Sequence, residues 1–170
     1  RFNLEIDSSG LIENKTERMI FMSKIAVVYW SGTGNTEVMA NAVAKGIVEK
    51  GAEAVVLTPD GFDEGMIDDF DGIAFGCPAM GAEVLEESEF EPMFEACQSK
   101  LTGKPIALFG SYGWGDGQWM RDWEARMAAA GAKIQGGTGV ICQEAPDEEA
   151  LERCRKLGQI GRASCRERVS

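Results

Sequence analysis

Seven residues, Trp30-Ser-Gly-Thr-Gly-Asn-Thr36, follow directly on the apolar run Ile25–Tyr29 and carry three hydroxyls, two glycines, one asparagine and no charge. Gly32 and Gly34 let the backbone turn sharply and approach a ligand closely. The amides of Asn35 and Thr36, where a helix begins, face the same space, and the helix dipole favours an anion there. Ser31, Thr33 and Thr36 add hydroxyl donors. The stretch lacks the lysine of GxxxxGK[ST], so a nucleoside triphosphate with Mg²⁺ would find no countercharge. A single phosphate monoester held by neutral donors fits better. A simple helix cap needs one hydroxyl, not three.

Two further stretches could meet a ligand. In "GSYGWGDGQW", 110–119, Tyr112, Gly113 and Trp114 set aromatic rings on flexible glycine backbone, an arrangement suited to stacking on a planar ligand. Trp114 is the expected stacker, and Trp119, with Trp123 four residues on, is expected in the core. In "GCPAMGAEVLEESEFEP", 76–92, Met80-Gly81 offers a polarizable face and a hinge. Glu86, Glu87, Glu89, Glu91 and Glu95 read as the solvated start of a helix. Glu83 stands apart because it lies nearest to the Met-Gly pair.

These loops need elements to position them. Apolar runs at Lys24–Trp30, Ala54–Leu57, Gly72–Gly76 and Pro105–Gly110 read as buried strands. A fifth, at Lys133–Ile134 and Val140–Cys142, is interrupted by Gly136-Gly137-Thr138-Gly139. The runs are near-continuous rather than alternating, as in a parallel sheet covered on both faces. Helical patterns lie between them: Met39, Ala42, Val43, Gly46 and Ile47 share a face that stops at Lys50-Gly51. Phe90, Phe94 and Cys97 repeat similarly, as do Trp119, Trp123, Met127 and Ala130 before Gly131. Pro146 and the acidic run after it open a last helix, with Leu151, Cys154 and Leu157 on its buried face. The alternation β-α-β-α-β-α-β-α-β-α predicts an α/β fold: a doubly wound, five-stranded parallel sheet with helices on both faces. Ligands bind such sheets beyond the carboxyl ends of the strands, where strand order reverses. That rule selects the loops Trp30–Thr36, Cys77–Glu89 and Ser111–Gln118.

Composition narrows the chemistry. The 170 residues suit one domain, 44% apolar and 26% charged, with no run approaching the roughly 20 apolar residues of a membrane span. The net charge of −11 argues against nucleic-acid or anionic-membrane binding. The acidity belongs to the domain itself, with 11 Lys and Arg against 23 Asp and Glu between positions 22 and 160. Five cysteines without a CxxC pair point to reduced thiols and a cytoplasmic location. The chain has no histidine, which removes Ser-His-Asp and Cys-His nucleophile systems and most zinc sites. Chemistry must come from carboxylates, a thiol or a bound cofactor. The ends read differently from the domain. Residues 1–21 are polar, lack a sustained period and fit no signal peptide, so they read as translated upstream sequence or a disordered leader before a start at Met22. The tail 161–170, Arg-rich and expected to be structureless, reads as read-through of cloning-adaptor sequence, leaving 22–160 as the domain.

The stretches "VVYWSGTGNTE", "PAMGAEVLEESEFEP" and "ALFGSYGWGDGQWMRDWEARM" together resemble flavodoxins, specifically the short-chain type of anaerobic bacteria, over Met22 to Ile160. The resemblance implies one non-covalent FMN and a monomer that passes single electrons at low potential, between semiquinone and hydroquinone, to redox partner proteins met transiently. Ser31, Gly32, Thr33, Gly34, Asn35 and Thr36 would cradle the phosphate. Met80 and Trp114 would flank the isoalloxazine ring, with Ala79, Gly81 and Ala82 around it. Glu83 would accept from N3–H, and backbone from Ser111 and Tyr112 through Gly113 to Gly115 and Asp116 would approach the pyrimidine edge. The Met80-Gly81 peptide would lie next to N5, and the peptide at Gly81 would flip to accept its new N–H. Trp30 fits either a ribityl contact or strand-end core. Relatives often carry Asp where this chain has Ala82, so an Ala82→Asp variant is expected to lower the second potential. Pro78 replaces a usual Ser or Thr and has no N–H to donate. Acidic residues from Glu86 to Glu91 would steer partners with basic docking patches. The alternative is a flavodoxin-like NAD(P)H-dependent quinone or nitro reductase, which needs room over the flavin that Trp114 would fill.

Overall fold

The structure, a computed structural model, describes residues 4–6, 12–14 and 23–167, with side chains over 23–160. Two short strands, β1 (Leu4–Ile6) and β2 (Ile12–Asn14), pair antiparallel. The remaining residues of the expected leader, and the last three of the expected tail, lie outside the described residues.

The domain follows the predicted alternation. It runs β3 (Lys24–Tyr29), α1 (Asn35–Glu49), β4 (Glu53–Leu57), β5 (Gly72–Gly76), α2 (Phe90–Gln98), β6 (Pro105–Tyr112), α3 (Gln118–Ala129), β7 (Lys133–Ile134), β8 (Val140–Gln143) and α4 (Glu148–Glu167). The sheet is parallel, in the order β4-β3-β5-β6, with β6 then pairing to β7 at its start and to β8 at its end. β7 and β8 are thus one edge strand broken at the glycine run, as the sequence suggests. Strand order reverses between β3 and β5, so their carboxyl ends open the crevice where ligands bind such sheets.

Each face of the sheet buries its own apolar cluster. Phe75, Phe90, Phe94, Trp119, Trp123 and Leu108 pack beneath α2 and α3, with four T-shaped ring pairs at centroid distances of 5.1–6.4 Å. Val27, Met39, Val43, Ile47, Cys154 and Leu157 pack beneath α1 and α4 on the other face. α1 and α4 approach closely because their contact is made of glycine: a Cβ on Gly46 would lie 1.8 Å from the Arg155 carbonyl oxygen, and one on Gly158 2.1 Å from that of Val43.

Three expectations change. The connection from β4 to β5 forms two 3-10 turns, Pro59–Gly61 and Glu64–Asp69, rather than an α-helix. Pro59, Gly61 and Gly65 weaken a helix there, and Asp63 caps a turn by accepting from the Gly65 N–H at 2.9 Å. Phe62, Ile67 and Phe70 still cover the sheet. Second, Leu151 is only half-buried, and Ala150 takes the buried position beside Cys154 and Leu157. Third, α4 runs past Ile160 to Glu167, so the tail expected to be structureless is helical that far. A helix already nucleated extends easily through Arg, Ala and Glu.

Candidate functional site

The crevice between β3 and β5 is an open cleft of about 270 Å³. Trp30, Gly32, Thr33 and Asn35 of the first loop line it, with Pro78, Ala79 and Met80 of the second, Ser111, Tyr112 and Gly113 of the third, and Glu144. The switch-point rule therefore brings the three predicted loops together.

The first loop sets hydroxyl residues beside the start of α1. Gly34, at the N-cap of α1, adopts φ +96°, a left-handed conformation, and has open space where a Cβ would stand. Its N–H donates to Ser31 Oγ at 3.1 Å, which leaves the Ser31 hydroxyl proton free to point outward. The first amides of α1 have no intrahelical acceptor, as at every helix start. Thr33 is exposed on the loop, while Thr36 is buried and its hydroxyl pairs with Ser111 Oγ at 3.1 Å. That bond spans the first and third loops and fixes their spacing. Trp30 ends the strand run: its N–H donates to Gly76 O at 3.0 Å, and its indole N–H to Glu89 Oε2 at 2.8 Å. Its ring covers Gly32, where a Cβ would stand 2.9 Å from Trp30 Cη2. Trp30 is thus both packed against the core and part of the cleft wall.

The second loop leaves β5 with the Ala79 N–H donating to Ser111 O at 3.0 Å. Reciprocal bonds of 2.8 and 3.0 Å between Met80 and Val84 close a turn over Gly81, Ala82 and Glu83. Gly81 has φ +50° with open space around its Cα, and Glu83 has φ +55°. The Val84 N–H holds the Met80 carbonyl, so the Met80–Gly81 peptide is fixed within the turn. Glu83 is not among the residues lining the cleft, and its carboxylate accepts from the Asp116 and Gln118 N–H groups at 3.3 and 3.2 Å. It caps α3 and leans on Gly115, where a Cβ would come within 2.3 Å of Oε1. Trp114, 64% exposed, stands with Gly115 and Asp116 on the third loop outside the cleft lining, and Asp116 pairs with Arg121 at 2.8 Å.

Two glutamates depart from the reading of a solvated helix start. Glu86 is only 6% exposed and accepts from the N–H groups of Ser88, Glu89 and Phe90, each at 2.8 Å, and from the Ser88 hydroxyl. Burial alone would raise its pKa, but the four donors outweigh it and hold the carboxyl below its ordinary value. Glu91 pairs with Arg126 at 2.6 Å. Of the expected acidic rim, Glu87 and Glu89 stay exposed. Glu144, past the end of β8, is a cleft residue that the three-loop reading omits. The strand-end rule applied to the fifth strand would have found it.

Thiol chemistry is not available at this site. Cys77, Cys97, Cys142 and Cys154 are free and buried. Burial pushes Cys77 and Cys154 up to about 12 and Cys97 up to about 11. No group of His, Cys, Asp and Glu among the described residues could hold a metal.

The fold is a doubly wound parallel sheet with an uncharged, hydroxyl- and glycine-rich loop and a Met- and aromatic-edged cleft at its switch point. The flavodoxin family model matches residues 27–158. The chain is 50% identical over 133 residues to a flavodoxin of Clostridium beijerinckii, covering 78% of this chain and 95% of that one. To the Megasphaera elsdenii flavodoxin it is 44% identical over 138 residues, covering 79% and 96%. The solution structure of that protein in its two-electron reduced form superposes with a TM-score of 0.73 at 40% identity, covering 82% of this chain and 98% of that one. The chain belongs to the flavodoxin family.

Proposed function

We infer that the protein is an electron carrier that binds one FMN non-covalently and passes single electrons to other proteins. The observation that carries this reading is the cleft: neutral donors and orphan amides at one end, Met80 and an aromatic third loop at the other. FMN fits this set, because its monoester phosphate matches a cradle without cations and its planar ring matches an apolar, sulfur- and aromatic-edged slot. When bound, FMN supplies one-electron chemistry at low potential, and the chain's residues bind, orient and shield it.

Ser31, Thr33 and the amides of Gly32 to Thr36 would hold the phosphate. The Thr36–Ser111 bond sets the distance between phosphate loop and ring slot. Met80 and the exposed Trp114 would flank the ring, and the Gly81–Ala82 peptide would offer its carbonyl to a ring N–H. A buried N–H left without a partner costs about 1–3 kcal/mol, so a carbonyl there would satisfy one. Glycine at 81 permits it, since either sign of φ is open there. Exposed Glu87, Glu89 and Glu95 favour transient partners with basic docking patches. The functional unit is residues 22–160, acting as a cytoplasmic monomer. No helix among the described residues is long and apolar enough to cross a membrane. Family membership favours the carrier over a NAD(P)H-dependent quinone or nitro reductase.

Titrating apoprotein with FMN while following flavin fluorescence tests the reading. One equivalent should bind, and riboflavin, which lacks the phosphate, should bind far more weakly. Equal affinity for the two flavins would remove the phosphate cradle from the account.

A further inference from the structure

From Gly113 to Gly117 the third loop alternates glycine with other residues, and Gly115 and Gly117 take left-handed φ values of +88° and +91°. Such a segment has little stiffness of its own. Asp116, between those two glycines, is gripped from both sides. Its N–H donates to Glu83 Oε1 at 3.3 Å, and the Gln118 N–H donates to the same oxygen at 3.2 Å. On the other side stands the Arg121 guanidinium. Nη1 donates to the Asp116 carbonyl at 3.1 Å and Nη2 to its carboxylate at 2.8 Å. Nε and Nη2 also donate to Gln118 Oε1, at 3.2 and 2.8 Å. Helix stability does not account for this arginine. It lies in the first turn of α3, where the helix dipole opposes a cation, and no acidic residue of that turn offsets it. The Arg121 and Asp116 side chains are 51% and 78% exposed, so their ion pair adds little to global stability. What the guanidinium holds is the loop.

We propose that Arg121 is a positioning residue of the flavin cleft: with Glu83 it grips Asp116 from both sides and fixes the glycine-rich third loop in the form that meets the flavin ring. The inference rests on the carrier reading above. Gly113, which lines the cleft, and Trp114 both belong to the segment that Asp116 anchors. Arg121 is not among the lining residues, so it acts through the loop. A loop that samples other conformations lowers ligand affinity in proportion to the time it spends outside the competent one. The guanidinium fork suits the task, because it reaches a carbonyl, a carboxylate and an amide oxygen at once.

The test measures the Kd of apoprotein for FMN and for riboflavin. Arg121→Ala should weaken both alike, each about fivefold, the upper end of what an exposed ion pair supplies. A phosphate contact would instead weaken FMN more than riboflavin. Arg121→Lys keeps the charge and loses the fork, so it should fall between wild type and Ala. In an Asp116→Ala background the loss from Arg121→Ala should shrink, because the two residues share one network. Amide exchange of the full chain without flavin reads the loop independently of binding. In Arg121→Ala the Asp116 and Gln118 N–H groups should exchange about fivefold faster, while β6 keeps its rates. Arg155→Ala removes a guanidinium likewise bonded to two residues, Glu49 and Glu152, at the α1–α4 contact, and should leave both affinities unchanged. Affinities unaltered in Arg121→Ala, a loss confined to FMN, or no faster exchange at 116 and 118 overturns the proposal. If Arg121→Ala also exchanges faster in β6, Arg121→Lys decides, and wild-type affinity and loop exchange in that variant overturn it. Wild-type apoprotein that binds no FMN sinks the carrier reading itself, a separate outcome.

Discussion

Glu86 can be perturbed by one atom. In Glu86→Gln, one carboxylate oxygen becomes an NH₂ that faces donors. The carboxylate serves four of them in pairs: the Ser88 N–H and hydroxyl on Oε1, and the Glu89 and Phe90 N–H groups on Oε2. Whichever way the amide settles, one pair loses its acceptor. A buried orphan donor costs about 1–3 kcal/mol, and the partial exposure here favours the lower end, so the two together cost about 2–4 kcal/mol. At about 2–4 °C per kcal/mol for a chain of this size, the melting temperature should fall by roughly 5–15 °C. The pH dependence is a sharper readout. The folded pKa of Glu86 is lowered, so the unfolded chain takes up the proton first as pH falls. Its contribution is full above the unfolded pKa of about 4.3 and is lost as pH drops through the folded value. Urea unfolding of wild type and variant should therefore differ by the full amount at pH 7 and converge in acid. A difference below about 0.5 kcal/mol at pH 7, or one equally large at low pH, would refute the capping role.

Gly46→Ala and Gly158→Ala gain about 0.8–1 kcal/mol of helix propensity, yet each pushes a methyl into the facing backbone. Overpacking of this kind costs about 1–3 kcal/mol, so both should lower the melting temperature in a thermal scan, and a rise would show that α1 and α4 separate freely. Gly34→Ala strains the left-handed cap by about 1–2 kcal/mol and puts a methyl at the anion cradle. FMN affinity should fall about tenfold or more by fluorescence titration, with riboflavin affected less, and equal losses would place the phosphate elsewhere. Electron transfer to a basic partner should slow by roughly tenfold as ionic strength rises from about 0.01 M to 0.15 M, since the Debye length falls from about 30 to 8 Å. Stopped-flow rates indifferent to salt would remove the steering role of Glu87 and Glu89.

Much of this molecule is legible from local pattern. The hydroxyl-glycine loop after the first strand, the Trp119–Trp123 stripe and the glycine break in the last strand each depend on neighbours within a few residues, and each is found in the structure. What escapes depends on long-range closure. The Thr36–Ser111 bond joins residues 75 apart in sequence, and neither hydroxyl differs in type from an exposed one. Glu83 and Glu86 look alike in sequence within one acidic run. One turns to the start of α3, and the other is enclosed by the amides it caps. Glu144 lies within reach of the strand-end rule, but nothing in its type signals φ +58°, and its N–H is held by the Tyr112 carbonyl. The 3-10 turns show the limit of alternation as a guide, since Pro59, Gly61 and Gly65 outvote the expected helix.

The most direct test is an anaerobic reductive titration of the FMN-loaded protein followed by its visible spectrum. A one-electron carrier should pass through two resolved steps, with a long-wavelength band that rises to a maximum near one electron equivalent and then bleaches. Loss of the oxidised spectrum in a single two-electron step, or rapid bleaching by NADPH alone, would contradict the account.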